Sequence, residues 1–237
     1  MFHGCPRTLT LARRLMFMTV LLYATVPLAR GEQYWVAWEG DDFPENEGWT
    51  RIVNGPQPAE RTLADGIMTM DGLADRQIDD YYRMERPLDP GPGETFVMQW
   101  RLRVDEVIGH PFSLFDAGLG LFSDDDWSLT LVFGVDFIQS LHEQAQIPFD
   151  PGAFHVFEVR SQDMRSYTLR VDGAIARNGT FWEPTFTSSR LEWGDYSRGS
   201  ATLVDWDHFR FGVIPEPPTL AIMTVSFCAC APMRRAR

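Results

Sequence analysis

Between residues 6 and 227 the chain contains no cysteine, and it contains no lysine at any position. With cysteine confined to Cys5, Cys228 and Cys230, the central stretch has no means of forming a disulfide framework, a thiolate metal site or a cysteine nucleophile. The missing lysine removes Schiff-base chemistry and side-chain amine nucleophiles, and it makes every permanent cation an arginine. No Gly-x-Ser-x-Gly elbow is present, and no His-x-x-x-His or Glu-x-x-His spacing fixes a metal geometry. His3 falls in the N-terminal segment, and His110, His142, His155 and His208 are scattered. A Ser/His/Asp triad drawn from distant positions stays open, because its members need not be neighbours. Long apolar runs are also missing, except at the two ends.

Those ends carry no acid. All 33 acidic residues lie between Glu32 and Glu216, whereas seven of the 21 arginines (Arg7, Arg13, Arg14, Arg30, Arg234, Arg235 and Arg237) lie outside that stretch. The central stretch therefore holds 14 arginines against 33 acids, a net charge of −19. A body so acidic repels nucleic acid and anionic lipid, which excludes polyanion binding as its main task. At the N-terminus, Arg7, Arg13 and Arg14 precede the apolar stretch Leu15–Leu28, and Ala29-Arg30-Gly31 places small residues where a signal peptidase reads. Residues 1–31 are expected to be a secretory signal cut after Gly31; an uncleaved anchor is the alternative.

At the other end Pro215-Glu216-Pro217 precedes an apolar run, Thr219–Pro232, and then Arg234, Arg235 and Arg237. Such a run can enter a bilayer while its arginines stay on the cytoplasmic side. This order resembles the PEP-CTERM sorting signal. The resemblance implies processing by an exosortase-type enzyme, membrane contact through the tail, and residence at the cell envelope or outer surface, with release to the extracellular matrix as one outcome. A plain tail anchor is the alternative. The run is shorter than the ~20 residues that span a bilayer comfortably, and it contains Ser226, Cys228 and Cys230, which suits a transient anchor. The expected organisation is residues 1–31 signal, 32–213 one domain, and 214–237 sorting and anchor segment.

The body reads as strands. Phe96, Met98, Trp100, Leu102 and Val104 alternate with Thr95, Gln99, Arg101, Arg103 and Asp105, the period of a strand with one buried face. Leu129, Leu131, Phe133 and Val135 repeat the pattern, as do Tyr167, Leu169 and Val171, after which Asp172-Gly173 supplies hairpin turn residues. Further strands are expected at 34–38, 66–70, 77–84, 119–122, 154–160, 190–193 and 202–211, separated by turn-rich segments such as Asp89-Pro90-Gly91-Pro92-Gly93. The one helical possibility, Ser140–Ala145, is a turn or two, and Asn178-Gly179 reads as a turn. Many short strands argue for an all-β chain folded as a two-sheet antiparallel jelly-roll sandwich.

Gly40-Asp41-Asp42-Phe43, a hairpin from 154–159 into Tyr167–Gly173, then Trp193-Gly194-Asp195 and Asp205-Trp206-Asp207-His208-Phe209-Arg210-Phe211 together resemble the concanavalin A-like lectin/glucanase sandwich, laminin G-like branch. An unrelated jelly roll is the competing fold. The resemblance implies one structural calcium tying the first strand to the last, held by Asp42, Asp207 and a carbonyl of Gly40; hard oxygen ligands suit that ion. An ion pair of these acids with Arg210 is the alternative. Retaining glucanases of this fold carry Glu-x-Asp-x-x-Glu on one strand, and that constellation is missing. The nearest acids are Asp105-Glu106, Asp205-x-Asp207 and the run Asp124-Asp125-Asp126, the last expected to be a solvated turn.

A binding role would show in the eight tryptophans, since a flat ring beside polar groups stacks on a sugar face. Trp38, Trp49 and Trp100 are expected in the core. Trp127, Trp182 and Trp193 stand in or beside turn-rich segments and are expected to be exposed. Simple alternation puts Trp206, His208 and Arg210 on one face of the last strand, opposite Asp207 and Phe209. Two functions follow: a non-catalytic exported module binding glycan, exopolysaccharide or matrix, or a glycan-active hydrolase whose carboxylates come from separate strands. A purely structural surface protein is the third.

Overall fold

The computed structural model describes residues 34–74, 79–109, 117–122, 127–183, 188–196 and 200–215, all within the unit Tyr34–Arg237. The N-terminal signal and the sorting residues after Pro215 lie outside them, as does the run Asp124-Asp125-Asp126. In chain order the strands are β1 (Val36–Trp38), β2 (Thr50–Asn54), β3 (Glu60–Ala64), β4 (Ile67–Asp71), β5 (Asp79–Glu85), β6 (Glu94–Gly109), β7 (Ala117–Phe122) and β8 (Ser128–Phe133). They continue with β9 (Phe137–Ser140), β10 (Ala145–Pro148), β11 (His155–Ser161), β12 (Ser166–Val171), β13 (Ala174–Thr180), β14 (Arg190–Tyr196) and β15 (Ser200–Pro215). A short 3-10 turn at Pro44–Glu47 is the only helical element among the described residues, and none is long and apolar enough to cross a membrane.

The strands form two antiparallel sheets. The first runs β13-β12-β11-β6-β15-β4-β3, with β1 lying beside the later part of β15; the second runs β10-β9-β8-β7-β14-β5-β2. The sheets stack as the sandwich expected from the sequence. Along β6, Phe96, Met98, Trp100, Leu102 and Val104 face inward, while Gln99, Arg101 and Arg103 are partly exposed on the other face. β11 and β12 alternate in the same way, and Asp172 and Gly173, at φ 50° and 80°, make the tight turn into β13.

Aromatic rings join the two inner faces. Trp193 of β14 lies parallel to Phe209 of β15 with centroids 5.2 Å apart, and it touches Trp206 at 4.7 Å. Trp100 of β6 packs edge-on against Phe133 of β8 at 6.1 Å. Each such ring removes about 150–250 Å² from water, a gross gain of about 4–6 kcal/mol at 25 cal/mol per Å².

Several local expectations are corrected here. Trp193 and Trp206 are core residues with 0% exposure. Trp193-Gly194-Asp195 is the middle of a strand, where Trp193 pairs with Tyr82 and Gly194 with Tyr81. In β15, Trp206 faces Leu102 and His208 faces Arg101, so Asp207 is an extra, bulged residue. The bulge places Trp206 and Phe209 on the same inner face and leaves His208 and Arg210 on the outer one, which simple alternation does not anticipate. Asn178-Gly179 lies inside β13 instead of making a turn. Ser140–Ala145 is the β9–β10 hairpin connection, not a helical segment.

Candidate functional site

The sandwich has a seam where β10, at one edge of the second sheet, meets β13, at one edge of the first. Glu143, in the β9–β10 turn, bridges it. Its Oε2 accepts hydrogen bonds from Tyr167 Oη at 2.8 Å and Arg177 Nε at 2.7 Å, and its Oε1 accepts one from the Thr180 N–H at 3.0 Å. Burial alone would raise the Glu143 pKa, but the donors Arg177, Tyr167 and Thr180 outweigh it and hold the carboxyl below its ordinary value. Burial, then the bond to Glu143, pushes the Tyr167 hydroxyl up to about 12. Gly179 makes room for this contact: a Cβ there would stand 2.5 Å from Tyr167 Oη and 2.7 Å from Glu143 Oε2.

With Glu143 so braced, its neighbour His142 projects to solvent beside Trp182. The two rings are nearly parallel, 11° apart with centroids at 5.9 Å, an offset stack that forms a flat ledge. Trp182 is 50% exposed. Its backbone is fixed on both sides, because Trp182 and Ser128 exchange N–H···O bonds of 2.8 and 2.7 Å, and the Phe181 N–H donates to the Arg165 carbonyl at 2.9 Å. Phe181 anchors the segment by burying its ring against Tyr167 at 5.7 Å. The Ser128 pairing also brings Trp127 to the ledge, where the Arg165 guanidinium sits 5.6 Å from its ring.

The candidate binding residues thus separate into three groups. Trp127 and Trp182 come together at the ledge, and Trp193 and Trp206 lie in the core. His208 and Arg210 lie on the outer face of β15, where Arg210 Nε donates to Glu39 at 2.6 Å. Burial, reinforced by the nearby Arg210 charge, holds His208 below the usual imidazole range. His142, Glu143 and Arg165 were not singled out from the sequence. Glu143 meets its partners across 24 and 34 residues of chain, a pairing that only the topology reveals.

The residues expected to hold calcium do not converge on one another. Asp207 is ion-paired with Arg101, with His208 3.7 Å away, and Asp42 accepts from the N–H of its own neighbour Phe43 at 2.7 Å. An arginine on Asp207 matches the ion-pair alternative, with Arg101 in the place expected for Arg210. Among the described residues no group of three or more histidines, cysteines or acids is placed to hold a metal ion. The other acids singled out as glucanase-like are also matched with arginine: Asp205 with Arg103 at 2.5 Å and with Thr69 at 2.6 Å, and Asp105 with Arg103 at 2.9 Å.

No protein-family model and no curated protein matches the chain. Solved structures do match in fold. A carbohydrate esterase of the Shiga toxin-encoding bacteriophage phi24B superimposes with TM-score 0.55 at 12% identity, covering 76% of this chain and 98% of its own. A structure from work on endo-acting O-glycanases, which prominent human gut bacteria express to initiate mucin breakdown, superimposes with TM-score 0.50 at 8% identity, covering 78% and 100%. At such identities the likeness is one of fold.

Proposed function

We propose that this chain is an exported, non-catalytic sandwich module that binds glycan or extracellular matrix at the Trp182–His142 ledge. The observation that carries the reading is a half-exposed tryptophan backed by a parallel imidazole and held by a braced carboxylate. An exposed aromatic face is costly to leave in water without a use, and its flatness fits the apolar face of a sugar ring while surrounding polar groups meet hydroxyls. The fold-level likeness to glycan-active proteins supports the same class of partner without assigning a reaction.

The concanavalin A-like character belongs to this proposal, as do the envelope address and the exosortase-type partner. The order Pro-Glu-Pro, apolar run, arginines supports the latter two, together with the arginine-led apolar stretch at the N-terminus. The experiment is a glycan array probed with the full chain, followed by product analysis of every glycan bound. Binding without cleavage is expected. Cleavage of a bound glycan would replace the binding module with an enzyme, and a chain that bound nothing would leave the structural role in its place.

A further inference from the structure

The outer face of the first sheet carries a cleft of about 680 Å³ at the β13 edge, lined by Thr168, Arg170, Ile175, Asn178, Arg160 and Gln162 among others. It is continuous with the ledge. In the last part of β13 and just beyond it, Asn178, Thr180 and Trp182 are exposed while Gly179 and Phe181 turn inward, so the three share the outer face. Four residues of extended chain separate Asn178 from Trp182, a span of about 13 Å at 3.3 Å per residue. A single sugar on Trp182 leaves the cleft untouched.

We infer that the ligand is an extended neutral oligosaccharide, with one sugar stacked on Trp182 and the following units running along β13 into the cleft. The inference rests on Trp182 as the glycan contact. The cleft presents the groups that hydroxyl-rich chains use. Thr168 Oγ1 donates to Asn178 Oδ1 at 2.9 Å, which leaves the Asn178 amide N–H groups to donate into the cleft. Arg170 opposes Ile175 across the β12–β13 pairing, with Nη1 on the Gly173 carbonyl at 3.0 Å. Ile175 is 58% exposed and supplies an apolar patch for a ring face.

Charge selects the neutral class. Glu158 accepts from Arg160 at 2.6 and 3.2 Å and lies 3.6 Å from Arg170, so an acid already answers the cleft's cations. Around it lies a body of net charge −19, which disfavours acidic polysaccharides at long range. The arginines therefore act as fixed hydrogen-bond donors, held by Glu158 and the Gly173 carbonyl before any ligand arrives.

The test is binding of the full chain to an array of neutral homo-oligosaccharides of one to six units, with uronic-acid oligomers of the same lengths alongside. Three variants are compared with the parent: T168A/N178A, R170Q and W182A. The parent should bind the longest neutral chains at least tenfold more tightly than the shortest. T168A/N178A should flatten that rise, R170Q should reduce it, and both should leave the shortest ligands bound; W182A should lose binding at every length. Length-independent binding, an unaltered T168A/N178A profile, or preference for uronic-acid oligomers would overturn the extended neutral site while leaving Trp182 as the contact. A parent that bound no oligosaccharide would overturn both readings.

Discussion

Glu143 shows how much one side chain can position without touching a ligand. Its carboxylate joins two sheet edges through three donors, and bonds to a charged group contribute about 1.5–3 kcal/mol each. Glu143→Ala should therefore cost about 2–3 kcal/mol in urea unfolding, with the Arg177 and Tyr167 donors left facing each other. Because the folded pKa is lowered, this stability is present above the ordinary glutamate value of 4.5 and is lost as pH falls through the folded value. The alanine variant should lack that acid-side loss. Gly179→Ala should weaken the same brace, because its new methyl group would overlap Tyr167 and Glu143. At Asp207 the Arg101 partner predicts that a chelator leaves the melting temperature unchanged; a fall on chelation would restore the calcium reading. Trp127 and Trp182 were legible as candidates because turn-rich sequence surrounds them. Glu143 was not, since nothing local distinguishes a braced glutamate from a solvated one.

At the scale of elements, legibility followed burial. Long central strands such as β6 and β12 announce themselves by alternation, because one face is packed and the other wet. β2, β3, β10 and β13 escaped, since edge strands are mostly exposed and their side chains are sorted by no core. Bulges misled in another way. One extra residue at Asp207 reverses the facing of everything before it relative to everything after, so Trp206 was assigned to the wrong side. The start of β11 contains a second element-scale device. His155 Nδ1 lies 2.7 Å from Asp172 Oδ2 and Nε2 lies 2.8 Å from the Asp150 carbonyl, so two acceptors meet the ring and the imidazolium satisfies both. Burial opposes the charge, but the bonds to Asp172 and Asp150 prevail and raise the His155 pKa. Its contribution is then fully present below the ordinary histidine value of 6.5 and is lost as pH rises through the raised folded value. Asp172, lowered against its own burial by the Val156 N–H and His155, loses its contribution at the acid end. Thermal melts from pH 4 to pH 9 should show the parent's advantage over His155→Gln shrinking on the alkaline side; an advantage that grew with pH would contradict the assignment.

Across the whole molecule the tryptophans divide by task. Trp38, Trp49, Trp100, Trp193 and Trp206 fill the space between the sheets, whereas Trp182 stands half in water at the seam. Trp206→Ala should cost about 3–5 kcal/mol as a large cavity opens, and a chain carrying it is expected to be largely unfolded near its melting range. Trp182→Ala removes little packing and should stay within about 1 kcal/mol of the parent. The acidic charge and the sandwich frame were both legible in composition and pattern, because each is a property of many residues at once. The site was only half legible, since it is assembled from a turn in one sheet and a strand end in the other. The most direct test of the account is a paired measurement on the full chain and W182A: melting temperature, and affinity for the neutral oligosaccharide that the parent binds best. The account predicts nearly equal melting with at least a tenfold loss of affinity, about 1.4 kcal/mol. Equal affinity at equal folding would contradict it.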